Sequence, residues 1–277
     1  MTTNISPARD TTYPARPAGP LYERLRKATA EAALPTGSTG NPVTEQDIQT
    51  LPTAVQRYLR FMGVVGRPRD WSFRVRFQGQ FRTKPGSRWL PADAWQYNSI
   101  APARVFVMRL MVGHVVPFYG RDTYIRGHGH MAGTLLGRKV IDGSGAEFDH
   151  SELIIYLNDA VFLAPSMLLG SATAWTAVDD DSFEVALTDC GRTISARVRI
   201  NERGAPVDFC ADRYATLPHG LVLAPWRTPI ENWTTGGDRP LPGPASVTYE
   251  LPAGPYCYAE GRFTPGTLVH NLAPGRV

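Results

Sequence analysis

Cysteine and lysine are both scarce in this chain of 277 residues. Its three cysteines, Cys190, Cys210 and Cys257, are widely spaced and form no C-x-x-C pair. They therefore predict neither a disulfide framework nor a zinc site, and free thiols favour a reducing cytoplasm. Only three of the 29 basic residues are lysines, and the arginines are spread along the chain. The formal net charge of +4 thus indicates solvated sheet faces rather than a nucleic-acid interface.

Long apolar runs are also missing. The first twenty residues contain no apolar core of the roughly 7–15 residues that a signal peptide needs. No stretch reaches the roughly 18 apolar residues of a membrane-spanning helix. We therefore expect a cytoplasmic protein without membrane insertion.

The motifs of common cofactor enzymes are absent as well. The sequence has no G-x-S-x-G nucleophile motif, no phosphate-binding loop and no dinucleotide fingerprint. The one local metal candidate is His128-Gly129-His130 near Asp122, but its glycines leave the backbone loosely specified and no further ligands can be named. We therefore expect no cofactor and no metal site.

What the chain does contain is apolar and aromatic sequence broken by turns. Hydrophobic residues make up 43%, and there are 24 prolines and 26 glycines, a composition that favours many short strands. Residues 1–20 are predicted to be disordered, residues 21–42 to form a helix (21–33) and a linker, and residues 43–277 to form a single β-rich ligand-binding domain. A second helix is predicted before Gly63, with Pro52 in its first turn.

From Trp71 onward the hydrophobic period is two, which predicts strands. A hairpin is expected around Lys84-Pro85-Gly86. Short turns between the segments favour an antiparallel meander. Further strands are predicted at 92–99, 104–112, 121–127, 174–178, 183–188, 193–201, 207–214, 245–251 and 256–263.

One apolar helix interrupts the meander and is predicted to cover the sheet as a lid or plug. Ser151 is the predicted N-cap, Glu152 lies in the predicted first turn, and Pro165 should end the helix. Tyr156 and Asp159 share one face at i and i+3. Asp159 is therefore either a salt-bridge partner at the helix margin or a polar group inside a cavity.

Five ordered blocks resemble an uncharacterised bacterial family of unknown function over roughly residues 50–263. The blocks are LPTAVQRYLRFMGVVGRPR, FQGQFRTKPGSRWLPADAWQYNS, GRDTYIRGHGHM, LIIYLNDAVFLAPSML and YELPAGPYCYAEGRFT. The resemblance implies a mainly β (α+β) fold similar to the lipoprotein-carrier half-barrel, a curved antiparallel sheet or open barrel with lid helices around an apolar cavity. Family members often carry N-terminal membrane segments, which this sequence does not show. The family implies no reaction.

The chain departs from the family pattern at two places. Asn158-Asp159-Ala160 stands where the family usually has Ala-Glu-Ala, so the acid is kept but shortened. Residues 227–237 replace a glycine-rich strand that leads to a proline. These departures would alter the edge of the predicted cavity while the rest of the fold is kept. Such a change is expected if the ligand of this protein differs from that of other family members.

Two functions follow from these observations. The first is a cofactor-independent cyclase or isomerase of secondary metabolism, such as antibiotic biosynthesis, acting on a hydrophobic polyketide-like molecule. The alternative is a non-catalytic carrier of a lipid or another hydrophobic metabolite. The predicted catalytic residues are Asp159, Tyr156 and Glu231. The predicted substrate-binding residues are Gln96, Tyr97, Arg109, Asp122, Tyr124, Trp226 and Trp233, with Arg213 as a further polar candidate. The oligomeric state does not follow from the sequence.

Overall fold

The computed structural model describes residues 17–235 and 237–277. Most of the segment predicted to be disordered, residues 1–20, lies outside the described residues. The first helix, α1 (Pro20–Glu31), begins with the proline at its first position, close to the predicted bounds. None of the described helices is long and apolar enough to cross a membrane.

A short additional helix precedes the second predicted helix. α2 (Glu45–Ile48) begins with a capping box in which Thr44 and Asp47 bond each other's backbone. α3 (Thr53–Phe61) follows Pro52, and Gly63 after its end has a φ of 67°, the left-handed conformation that suits a helix stop. α3 therefore confirms the second predicted helix, with Pro52 at its start and Gly63 after its end, and α2 is an additional short helix that Pro52 separates from it.

Antiparallel strands make up most of the fold, as the sequence predicts. They are β1 (Ser72–Phe81), β2 (Leu90–Ser99), β3 (Ala103–Val112), β4 (Val116–Ile125), β5 (His128–Leu135), β6 (Arg138–Ser144), β7 (Thr173–Asp179), β8 (Ser182–Asp189), β9 (Arg192–Ile200), β10 (Pro206–Leu217), β11 (Gly220–Arg227), β12 (Trp233–Thr235), β13 (Pro240–Pro242), β14 (Ala245–Leu251), β15 (Gly254–Phe263) and β16 (Val269–His270). Between β6 and β7 lies α4 (Ala146–Leu163), followed by a 3-10 turn at Pro165–Leu168.

The main sheet consists of two meanders joined at their centre. Its order is β6-β5-β4-β3-β2-β1-β15-β14-β11-β10-β9-β8-β7, with β16 paired to β1 and with β12 and β13 forming a separate hairpin. β6 and β7 are therefore opposite edges of one sheet, although only α4 and a short turn separate them in sequence. The helix must cross one face of the sheet to connect them.

The sheet curls around α4 into a half-barrel. α4 contacts β3 to β6 from one meander and β9 and β10 from the other. At one place the two meanders meet directly, because Tyr124 Oη donates to Asp189 Oδ2 at 2.7 Å. Nearby, a Cβ on Gly127 would lie 2.7 Å from Cys190 Cβ, so the close approach requires glycine. The predicted curved sheet with a lid helix is confirmed.

The predicted start of the lid helix is wrong by six residues. α4 begins after Gly145, and Ser151 lies inside it, where its Oγ accepts a hydrogen bond from the backbone N–H of Tyr214 at 3.3 Å. The helix ends at Leu163, before Pro165, as predicted. From residue 151 to 163 every side chain except that of Ile155 is buried, which agrees with the wide apolar arc of the sequence.

The sheet is covered on both faces. α1 packs on the convex face of β2 and β3, where Leu21, Tyr22 and Leu25 contact a cluster that includes Trp95 and Tyr97. The larger core lies on the concave face, between the strands, α3 and α4. The candidate site is part of this concave side.

Candidate functional site

A cavity of about 480 Å³ lies between the concave face of the sheet and α4. This volume is within the range of roughly 300–1,000 Å³ that is typical of small-molecule sites. Aromatic and other apolar side chains form most of its wall. The aromatic members are Phe77, Phe81, Phe106, Phe118, Phe148, Phe162, Tyr214, Trp226, Tyr249, Tyr256, Tyr258 and Phe263.

The strand period decides which side chains reach the cavity. On β3 the residues with even numbers point inward, and they are Arg104, Phe106, Met108, Leu110 and Val112. Pairing with the neighbouring strands aligns Phe106 with Gln96 on β2 and with Asp122 on β4. All three line the cavity, so polar and aromatic side chains stand in one row across the sheet.

Helix α4 supplies the opposite wall at helical spacing. Its lining residues are Glu147, Phe148, Ser151, Glu152, Ile155, Asn158, Asp159, Phe162 and Leu163. Glu152 and Asp159 are seven residues apart, so they lie on the same face of the helix, two turns from each other. Both carboxylates therefore face the inward row of β3.

Arg104 joins these two carboxylates. Its Nη1 donates to Glu152 Oε2 at 3.1 Å, and its Nε donates to Asp159 Oδ2 at 2.9 Å. Asn98 Nδ2 also donates to Asp159 Oδ2, at 3.3 Å. The guanidinium carbon lies 4.7 Å from the ring centroid of Phe106, within cation–π distance. A charged network therefore anchors the lid helix to the sheet inside an otherwise apolar space.

Arg213 extends the network from β10. Its Nη2 lies 3.6 Å from Glu152 Oε1, and its Nη1 donates a hydrogen bond to the hydroxyl of Tyr249. The guanidinium also lies 5.5 Å from the ring centroid of Trp226. We call Arg104, Asp122, Glu152, Asp159 and Arg213 the charged cluster. It contains three carboxylates and two guanidinium groups.

Burial changes the acidity of the cluster. Loss of hydration and the neighbouring Asp122 carboxylate raise the pKa of Glu152 to about 7, although Arg104 and Arg213 oppose the shift. Burial also raises the pKa of Asp122 and that of Asp159, against the attraction of Arg104. Three carboxyl groups therefore compete for two arginines in buried surroundings, which favours retention of a proton.

Among the described residues, two buried side chains on the wall have a polar atom without a hydrogen bond of standard length. The atoms are Nε2 of Gln96, which neighbours Asp159, and Oε1 of Glu152, which lies 3.6 Å from Arg213 Nη2. An unsatisfied buried polar group costs roughly 1–3 kcal/mol, so a partner supplied by a ligand would be favourable. The two atoms provide one donor and one acceptor for a bound molecule.

Four of the ten predicted site residues line the cavity: Gln96, Asp122, Asp159 and Trp226. Asp159, for which two environments were open, is the polar group inside the cavity. Arg213, the further polar candidate, belongs to the charged cluster.

Two predicted binding residues lie on the other face of the sheet. Tyr97 belongs to the convex cluster under α1, and its hydroxyl donates to the carbonyl of Leu272 at 2.9 Å. Arg109 stands opposite Asp93 on β2, with Nη2 at 3.6 Å from Asp93 Oδ2. Each of these two residues lies an odd number of residues along its strand from a side chain that faces the cavity. A shift of one residue along a strand moves a side chain to the opposite face of the sheet.

The remaining four predicted residues do not line the cavity either. Tyr156 is buried, and its hydroxyl donates to the carbonyl of Ser99 at 3.0 Å. Tyr124 bonds Asp189 at the closure of the half-barrel. Trp233 donates to the carbonyl of Pro206 at 2.8 Å, and Glu231 is exposed. Burial raises the pKa of Tyr156, so this hydroxyl is a poor proton donor to a base.

Arg104 and Glu152 are the important residues that the sequence did not identify. β3 is apolar on both faces, so its pattern does not show whether Arg104 or Arg109 points inward. Glu152 looked like a dipole-stabilising acid because the helix was predicted to begin at Ser151. Its seven-residue spacing from Asp159 was the available signal.

The histidine pair on β5 is not part of the cavity. His130 Nε2 lies 2.8 Å from Asp142 Oδ1 on β6, and His128 is exposed. In residues 17–235 and 237–277 no group of three or more histidine, cysteine, aspartate or glutamate side chains converges as a metal site would.

Comparison with known proteins defines the family. Residues 41–261 match the family of unknown function DUF6544, and the chain belongs to this family. No curated protein matches the chain.

Two solved structures are similar to the chain. One is a domain of Vibrio parahaemolyticus named for outer membrane lipoprotein sorting, with 10% identity, a TM-score of 0.41, and coverage of 81% of this chain and 93% of that one. The other is MucB, with 11% identity, a TM-score of 0.17, and coverage of 77% and 93%. Neither is similar enough to transfer a ligand or an activity.

Proposed function

We propose that this protein binds a hydrophobic small molecule in the cavity under α4. The observation that supports the proposal most is the cavity itself, about 480 Å³ of mostly apolar wall with a few convergent polar groups. A space of this kind is the usual form of a ligand site. A carrier needs only to bind its ligand, and the apolar wall with its few polar groups is sufficient for binding.

The charged cluster supports a specific polar end for the ligand. Its three carboxylates exceed its two guanidinium groups, so a fatty acid would bring a fourth carboxylate into a site that already repels it. A hydroxyl group can donate to Glu152 Oε1 and accept from Gln96 Nε2, the two buried wall atoms that make no hydrogen bond of standard length. We therefore expect an apolar molecule with an uncharged hydroxyl at one end.

A second candidate is a cofactor-independent cyclase or isomerase that acts on a polyketide-like substrate. The pKa of Glu152, about 7, supports it, because an acid or base works best near the ambient pH. In this role Glu152 would exchange a proton with the substrate while Arg104 and Arg213 stabilise the resulting charge. Asp159 would hold Arg104 in place.

Displacement of a fluorescent probe tests the binding proposal. The purified protein is loaded with N-phenyl-1-naphthylamine, and dodecanol, dodecylamine and dodecanoic acid are compared as competitors. We expect displacement by dodecanol to be strongest and by dodecanoic acid to be weakest at neutral pH. Failure of the probe and of all three competitors to bind would contradict the proposal.

The variant Glu152→Gln separates the two candidate functions. It keeps the shape of the side chain but cannot exchange a proton in this way. A natural ligand recovered from the protein is incubated with the wild type and with Glu152→Gln and then analysed by mass spectrometry. If the protein is a carrier, the mass of the ligand should be unchanged after incubation with either protein. If it is an enzyme, the wild type should convert the recovered molecule, and the variant should bind it without converting it.

A further inference from the structure

The cavity opens at one end of the half-barrel, between four segments that we call the mouth segments. These are residues 82–89, 112–116, 136–141 and 217–223. Each contributes an exposed residue to the cavity wall, and these residues are Thr83, Val112, Ile141 and Leu221. Side chains that are both exposed and part of the wall lie where the cavity meets solvent, and Glu147, Thr216 and Arg262 outside these segments share that property.

The four segments lie at the same end of their strands, and a residue of each lines the same cavity. In an antiparallel sheet successive turns alternate between the two ends. The turns after β1, β3 and β5 therefore share one end of the first meander. β15 begins and β14 ends at that same end, since β15 pairs with β1, so the turn between β10 and β11 also lies there.

The mouth segments are unusually apolar. Ten large hydrophobic side chains are exposed in the described residues, and eight of them lie on these segments. The eight are Val112, Val115, Leu136, Val140, Ile141, Leu221, Val222 and Leu223. The other two, Ile100 and Val178, lie elsewhere. Such a concentration of exposed apolar side chains is typical of an interaction site rather than of ordinary surface.

The same segments are also basic. They contain the five cations Arg82, Lys84, Arg88, Arg138 and Lys139, and no aspartate or glutamate. The nearest acids in sequence are Asp142, whose Oδ2 accepts from Lys139 at 2.7 Å, and Asp93, which follows Trp89 after three intervening residues. Trp89 stands among the cations, with the guanidinium of Arg82 at 4.0 Å from its ring centroid.

We propose that the mouth segments dock on the surface of an anionic lipid membrane. Lysine and arginine side chains contact lipid phosphates, while valine and leucine side chains enter the interface beside an aromatic ring. Nucleic acid would match the cations but would leave the eight apolar side chains without a partner. Docking in this orientation extends the proposed function, because the cavity would open toward the phase in which apolar molecules dissolve.

Cosedimentation with lipid vesicles tests the proposal. The wild-type protein should sediment with vesicles of phosphatidylcholine and phosphatidylglycerol, and less with vesicles of phosphatidylcholine alone. Added salt should weaken the first interaction, since surface charges are screened. Absence of the protein from both pellets, or binding to double-stranded DNA without binding to vesicles, would overturn the proposal.

Two pairs of variants assign the binding to the mouth. The first pair compares Lys84→Glu/Arg88→Glu/Arg138→Glu with Lys27→Glu/Arg126→Glu/Arg203→Glu, which produces the same change in net charge elsewhere. We expect the mouth variant to bind anionic vesicles about 100-fold more weakly, since each cation near a membrane contributes about 1 kcal/mol. The control variant should bind like the wild type. Equal losses in both variants would assign the attraction to overall charge and overturn the proposal.

The second pair tests the apolar part. Val115→Ser/Leu136→Ser/Leu223→Ser should lose vesicle binding even at low salt, and Ile100→Ser/Val178→Ser should keep it. Binding of N-phenyl-1-naphthylamine without vesicles is measured for every variant. Probe binding without vesicle binding by the wild type would overturn membrane docking alone, and vesicle binding without probe binding would overturn the proposed function alone.

Discussion

Two buried arginines on opposite faces of the sheet have different partners. Arg74, on the convex face, donates to the hydroxyl of Tyr22 at 2.9 Å and lies 5.6 Å from the ring centroid of Trp95. Arg104, on the concave face, binds the carboxylates of Glu152 and Asp159. Only 3% of Arg74 and 4% of Arg104 is exposed. The two arginines are therefore buried to almost the same extent, and they differ in the side chains that they contact.

This difference separates a structural arginine from one that belongs to a site. The partners of Arg74 are the hydroxyl and ring of Tyr22 and the ring of Trp95, which are aromatic side chains and not carboxylates. Burial raises the pKa values of Glu152 and Asp159, the partners of Arg104, so the protonation of this cluster depends on pH. The convex cluster fixes α1 to the sheet, whereas the concave cluster fixes α4 and also faces about 480 Å³ of space.

Replacement of Arg104, the arginine on the concave face, should cause the largest loss of stability. Arg104→Met leaves Glu152 and Asp159 buried without their shared partner, and breaking a buried ion pair costs about 3–5 kcal/mol. The loss should be smaller at pH 5 than at pH 8, because the orphaned carboxylates are protonated at the lower pH. Urea denaturation at both pH values measures it.

The matched control is Arg74→Met on the convex face. It removes one hydrogen bond to a hydroxyl and cation–π contacts, so we expect a loss of about 1–3 kcal/mol with no dependence on pH. If both variants lost the same stability at both pH values, the proposed contrast between the two faces would be wrong.

The next effect is the pH dependence that Glu152 imposes. Its pKa is 4.5 in a model peptide and about 7 in the fold, so between these values the folded state binds more protons than the unfolded one. The contribution of Glu152 to stability is complete below pH 4.5 and decreases as the pH rises through 7, by about 3 kcal/mol at most. Urea denaturation from pH 4.5 to 8 should show this decline in the wild type.

Glu152→Gln should flatten that decline, because the amide has no proton to lose. The comparison uses the difference between the two proteins at each pH, which cancels the titration of distant groups. A variant with the same slope as the wild type would show that Glu152 has an ordinary pKa and would remove the main support for the enzyme candidate.

More of the fold than of the candidate site could be predicted from the sequence. Alternation identifies strands such as β1 and β9, and the apolar helix that ends before Pro165 could be recognised without a structure. β5 and β6 were missed because β5 contains two glycines and β6 is largely exposed, so neither shows an apolar face. β11 was missed because its apolar residues are consecutive and exposed, not alternating.

The site could be predicted only where the face of a strand or helix was unambiguous. Asp159 was identified because it is an acid on a strongly apolar helix. Arg109 and Tyr97 were placed on the wrong face, because β2 and β3 are buried on both sides and the sequence does not give their phase. The link between Arg104 and Glu152 spans 48 residues and arises only when α4 crosses the sheet.

A smaller effect compares packing on the two faces. Val107→Phe enlarges a side chain in the convex cluster, where overpacking costs about 1–3 kcal/mol. Val247→Phe makes the same change at the cavity wall, where the ring can enter open space, so we expect little change in stability. The concave variant should instead exclude the longer members of an alcohol series from displacing N-phenyl-1-naphthylamine. Equal destabilisation by both would indicate that the cavity is filled by side-chain rearrangement.

The smallest expected effect comes from deleting a tyrosine hydroxyl that accepts a hydrogen bond from a buried arginine, Arg74 on the convex face or Arg213 on the concave face. Tyr22→Phe deletes the acceptor of Arg74 and should cost about 1 kcal/mol, with unchanged displacement of the probe by dodecanol. Tyr249→Phe deletes a partner of Arg213 on the cavity wall, so Arg213 should move toward Glu152 and compete with the hydroxyl of the alcohol for it. Dodecanol should then displace the probe less well, whereas a purely apolar competitor such as dodecane should be unaffected. Reduced displacement by dodecanol in both variants would mean that the convex face communicates with the cavity, which the separate clusters argue against.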